Sequence, residues 1–154
     1  MQIFNNISKL IHLLKPKIKS YGIFITHAWT FHSDYLRLME LLYSSNEFSW
    51  HNCSNYQCDI ISKHREQIHS FLPPLLKTQI QNAHCVLLIT DLIQEDKYWV
   101  KKEIEIAKEL NKPIIAIKSH WDTVLPSEIG EKVTEFVDWK PHMIIEAIKR
   151  HCHP

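Results

Sequence analysis

Glycine is almost missing from this chain: 154 residues hold only Gly22 and Gly130. Phosphate-cradling loops of the P-loop and dinucleotide-binding classes need clustered glycines, because backbone amides must approach the phosphates closely. Both classes are excluded. An excess of one charge is also absent, with Lys plus Arg at 18 and Asp plus Glu at 17. Proteins that coat nucleic acid or lie on membrane surfaces usually carry a basic excess, so neither partner is expected. No apolar run approaches the ~18 residues of a membrane span. The four cysteines, Cys53, Cys58, Cys85 and Cys152, form no C-x-x-C pair. Reduced thiols and a cytoplasmic location are the expectation. Lys9 and His12 interrupt the first apolar stretch, which argues against a secretion signal. Eleven histidines occur, yet there is no H-E-x-x-H and no Cys/His set at zinc spacing. No metal site is expected, since His151-Cys152-His153 is a tail that binds metal at most adventitiously.

What is present is a regular alternation of β-rich runs and helical patterns. Residues 1–20 read as an N-terminal helical extension, with Ile3, Ile7, Leu10, Ile11 and Leu14 at helical spacing and Pro16 ending the pattern. Its apolar stripe needs cover from the domain, a second subunit or a partner, so self-association is one expectation. Residues 21–154 read as one domain. Strands are predicted at Tyr21–Thr26, Phe48–Cys53, Cys85–Thr90, Pro113–Lys118 and Glu135–Trp139. Helices are predicted at His32–Tyr43, Lys63–Asn82, Glu95–Leu110 and Pro141–His151. Pro73-Pro74 is expected to split the second helix into two pieces. Such alternation implies parallel β-α-β units with right-handed crossovers. The predicted fold is α/β, a flavodoxin-like three-layer sandwich around a central parallel sheet of about five strands. Ligands of such sheets bind outside the carboxyl ends of the strands, so the loops after Thr26 and Thr90 are where chemistry should lie.

Two constellations fall there. On a helical wheel with Val100 at zero, Ile104 lies at about +40°, Glu103 at about −60° and Glu105 at about 140°. Glu103 therefore belongs to the sheet-facing stripe, whereas Glu105 faces solvent. Trp99 precedes Glu103 by one turn on the same face. The alternative is a stripe-edge carboxylate that escapes to water or makes a structural salt bridge. The second constellation, Thr26 to Asp34, follows the first strand and gathers a hydroxyl, imidazoles, aromatics and a carboxylate. His27 offers an imidazole, and Trp29 a stacking plane for a base or nicotinamide ring. The alternative is a helix start, with Ser33 or Asp34 as N-cap and Trp29 plugging the loop.

Four segments carry a family resemblance: Phe24 to Tyr35, Phe48-Ser49-Trp50, Tyr98 to Ile104 with its Trp-x-x-x-Glu, and Asn111 to Ala116. Together they resemble the TIR-like family that includes Thoeris ThsB, over about Tyr21 to Arg150. The resemblance implies an NAD-consuming enzyme of bacterial anti-phage defence. NAD is then substrate, and no cofactor is needed. It implies Glu103 as the catalytic carboxylate, and Thr26, His27, Trp29, Asp34 and Trp99 as substrate-binding residues. It further implies an ADP-ribose-derived product, often cyclic, that signals to a separate effector protein, with a phage-derived trigger. The family also holds adaptor-type domains, so a non-catalytic interaction module is the alternative.

Overall fold

A computed structural model describes residues 19–26, 33–54, 65–118 and 124–154. The N-terminal stripe, His27, Trp29 and Cys58 lie outside the described residues. Five strands form one sheet in the order β2-β1-β3-β4-β5. They are β1 (Tyr21–Ile25), β2 (Trp50–Asn52), β3 (Cys85–Ile89), β4 (Ile114–Lys118) and β5 (Glu135–Asp138). All four pairings are parallel. Every residue of β3 is buried, as a continuous Cys-Val-Leu-Leu-Ile run requires when helices cover both faces.

The helices are α1 (Ser33–Tyr43), α2 (Ile68–Asn82), α3 (Leu92–Glu95), α4 (Lys97–Glu109), α5 (Ser127–Gly130) and α6 (Pro141–His151). α2 packs against α4, and α1 meets α6. The two pairs cover opposite faces of the sheet, as right-handed crossovers demand. Strand register identifies the faces. Leu87 pairs with Ile115, which pairs with Glu135, and Glu135 binds Arg150 and His151 of α6. The face bearing Cys85, Leu87 and Ile89 is therefore that of α6. The face bearing Gly22, Phe24, Val86 and Leu88 is that of α2, whose last carbonyl, Asn82 O, stands 3.2 Å from where a Gly22 Cβ would lie.

The sheet and its layers match the sequence reading, whereas three helical details differ. α2 runs unbroken through Pro73 and Pro74, preceded by a 3₁₀ turn at Arg65–Gln67. Leu72, Leu76 and Ile80 stay on one buried stripe across the prolines. The bonds lost are those that amides at 73 and 74 would donate to the carbonyls of His69 and Ser70. Both of those residues are exposed, so water can serve their carbonyls, and no buried polar group is orphaned. The helix predicted at Glu95–Leu110 is α4, which starts two residues later because Asp96 leaves the helical conformation and caps it by accepting from Trp99 N–H at 3.4 Å; the short α3 before it was not foreseen. The short α5 was not foreseen.

α4 ends without glycine. Asn111 takes the left-handed conformation, φ 54°, in which asparagine is among the tolerated residues. The Lys112 and Asn111 amides then donate to Ala107 O and Lys108 O at 2.9 and 3.1 Å, a Schellman stop that leads directly into β4.

At the amino edge of the sheet, Gly22 N–H donates to His84 Nδ1 at 2.7 Å. A Cβ at Gly22 would stand 2.9 Å from His51 Nε2 and 3.1 Å from His84 Nδ1, so space rather than dihedral freedom demands glycine there. Burial first, then the neighbouring His51 and Lys112, push the His84 imidazole below its ordinary range.

Two outcomes follow from this architecture. Pro74→Ala restores an amide on the exposed side of α2 and should raise the unfolding free energy by about 1–2 kcal/mol in urea titrations. His84 must remain neutral at Nδ1 to accept from Gly22, and its folded pKa is depressed. Its contribution is thus complete above the unfolded value of about 6.5 and lost as pH falls through the folded pKa. Unfolding followed from pH 8 down to pH 5 should show a shallower loss of stability in His84→Gln, which keeps an acceptor without a titrating ring.

Candidate active site

The parallel sheet directs the carboxyl ends of its strands and the amino ends of α2 and α4 to the same edge. Glu103 lies in the middle of α4, one turn beyond Trp99, and has no exposed surface. Glu105 is partly exposed, the split that the wheel predicts. The cause is the apolar stripe itself: Val100, Ile104 and Ala107 are fully buried and hold that side of the helix against the sheet. A carboxylate carried into this layer is costly without polar company.

Trp99 is buried, with 6% of its surface exposed. His69, in the first turn of α2, stacks on it with centroids 5.3 Å apart and planes at 27°. Tyr98 meets both rings edge-on, at 5.4 Å from His69 and 5.1 Å from Trp99. One indole face is thereby covered, while His69 and Tyr98 are themselves exposed. Asp96 fixes the turn below by holding the Trp99 amide, and its partial burial raises its pKa above the usual carboxylate range.

Thr26 and Thr90 stand one residue past β1 and β3. Both are buried, and neither Oγ1 makes a hydrogen bond to a described residue. Asp34 lies in the first turn of α1. It approaches the carboxyl edge from the opposite face of the sheet to Glu103. Beside it, Asn52 binds the end of β2: its Nδ2 donates to Tyr35 Oη at 2.9 Å, and its Oδ1 accepts from Ser54 N–H and Oγ–H at 2.9 and 2.6 Å. Cys53 follows β2 directly, and burial pushes its thiol further from the thiolate form. Its Sγ is directed to Asn82 O at 3.8 Å, away from Glu103.

Among the predicted site residues, the structure gathers Thr26, Trp99 and Glu103 on one layer and sets Asp34 on the other. His69 and Thr90 were not singled out from the sequence. Nothing local marks His69, because a ring on a different helix can be paired with Trp99 only in three dimensions. Thr90 did leave a signal: Phe-Ile-Thr at β1 and Leu-Ile-Thr at β3 both end an apolar run in a hydroxyl.

The family model of the TIR-like domain of Thoeris protein ThsB matches residues 24–123. No curated protein matches the chain.

Proposed function

From the chain's membership of the Thoeris ThsB TIR-like domain family, we propose that it cleaves the bond between nicotinamide and ribose in NAD. The observation that carries this reading is Glu103: a carboxylate without exposed surface, one turn from a buried tryptophan, on the helix whose amino end reaches the carboxyl edge of the sheet. A carboxylate in that stripe costs more than an apolar residue would.

The chemistry suits one carboxylate. Nicotinamide in NAD is cationic, so when the C–N bond breaks its electron pair neutralises the pyridinium, and no general acid is required. The ribose left behind develops oxocarbenium character. Glu103 stabilises that positive charge and accepts hydrogen bonds from ribose hydroxyls, whereas ordinary glycosidases need a pair of carboxylates. An acceptor then forms the new bond at the anomeric carbon and loses a proton. Water gives ADP-ribose, an atom of the same molecule gives a cyclic form, and another nucleophile gives a conjugate. Thr26, His27, Trp29, Asp34 and Trp99 serve the substrate in this reading. Because His69 covers one face of the indole, a substrate ring reaches Trp99 only at its remaining edge. The product signals to a separate effector in the defence response, with a phage-derived trigger.

Glu103→Gln keeps shape and burial but removes the charge. NAD turnover, followed by mass spectrometry with and without lysate of phage-infected cells, should fall by at least ~10²-fold, the usual cost of one electrostatic stabiliser. Glu105→Gln should match the parent. Equal turnover by the two glutamine variants, or a parent that consumes no NAD under any trigger, hands the family fold to an interaction module instead.

A further inference from the structure

The two threonines at the carboxyl edge face the layer of Glu103, and the sheet register shows why. The β ladder runs one residue past each strand: Thr26 N–H donates to Leu87 O at 2.9 Å, and Thr90 N–H donates to Ile117 O at 3.2 Å. Phe24 pairs with Val86, and side chains alternate along a strand. Thr26, Leu88 and Thr90 therefore share the face of Phe24 and Val86, which is the face of α2 and α4. Thr26 is 0% exposed and Thr90 1%.

A buried hydroxyl normally has a partner, and each exception needs a reason. Leaving one unsatisfied forfeits its hydration without return. Valine has nearly the same shape and bears no such penalty. Two hydroxyls on neighbouring strands, at the same edge and on the same face, each lack a hydrogen bond to any described residue. Satisfaction by a ligand accounts for both at once. Glu103, a carboxylate carried by the helix layer on that face, disfavours an anionic group such as a diphosphate. A hydroxyl both donates and accepts, and so do the hydroxyls of a sugar.

We propose that Thr90, together with Thr26, binds the hydroxyls of the ribose from which nicotinamide departs. This rests on the NAD reading and adds a residue to it. The hydrogen bonds form only when the ribose is bound, so the cost of the bare hydroxyls in the empty protein is returned on binding. Thr90 thereby positions the sugar between the sheet edge and Glu103.

The test uses Thr90→Val, Thr90→Ser and the parent, all as full chains. ADP-ribose is the probe because it carries the relevant ribose and is not consumed; ADP, which lacks that ribose, is the control. Thermal unfolding of Thr90→Val without ligand should be unchanged or at higher temperature, since no internal hydrogen bond is lost. Its affinity for ADP-ribose in titration calorimetry should fall about tenfold, the upper range for one hydrogen bond, with ADP affinity unaltered. Thr90→Ser should restore ADP-ribose binding. Equal affinity of Thr90→Val and parent for ADP-ribose overturns the inference and leaves the NAD reading standing. So does an equal loss for ADP, or a loss that serine does not rescue. A parent that binds neither NAD nor ADP-ribose overturns both.

Discussion

β3 pairs with β1 on one side and β4 on the other, and it has helices on both faces, so none of its five residues reaches water. A strand in that position admits only apolar side chains along its length, and a polar one can appear only where the strand ends. That constraint organises the rest of the molecule. It requires the paired helices α2 and α4 on one face and α1 and α6 on the other. It also moves polar function to the carboxyl edge, where Thr26 and Thr90 end their apolar runs and the amino ends of α2 and α4 arrive. Glu103 is the one buried charged residue among the described residues, and it sits on α4, which follows this strand after the short α3.

The helix pair over the site is braced along its length. Near the carboxyl edge, His69 of α2 stacks on Trp99 of α4. Further along, Lys77 of α2 meets Glu109 of α4 at 2.9 Å. Just past the stop of α4, Lys112 donates to Gln81 O at 3.0 Å. The exposed ion pair contributes little by itself, but contacts at both ends oppose relative twisting of the two helices. A carboxylate in the middle of α4 is thus held by its own apolar stripe and by a neighbouring helix.

Much of this was legible in the sequence because it is encoded in short-range patterns. The run from Cys85 to Ile89 has no polar interruption, so its burial on both faces could be read directly. Pro141 opens α6 where a first-turn proline is favoured. The wheel placed Glu103 inward because Val100, Ile104 and Ala107 define the stripe around it. The failures came where distant contacts override local rules. Pro73-Pro74 reads as a break, yet Leu72, Leu76 and Ile80 keep one stripe buried while the lost amides face water. Asp96 delays the start of α4 by two residues, because its side chain is worth more as a cap than as a helical residue. His69 joins the site only through packing between helices, which no spacing along the chain reveals.

The Schellman stop at Asn111 makes the end of α4 a ruler. Its two amide bonds lock where the helix finishes, and β4 begins almost at once, so the count back from Asn111 determines which way Glu103 points. Each residue inserted between them would rotate the upstream helix by about 100°. A single insertion would carry the carboxylate out of the sheet-facing layer and bring a lysine or a surface glutamate in. Four insertions would nearly restore its direction but lift it by about 6 Å along the axis. Length between Glu103 and Asn111 is therefore as strictly constrained as the identity of Glu103 itself, although no residue in that interval other than Ile104, Ile106 and Ala107 is buried.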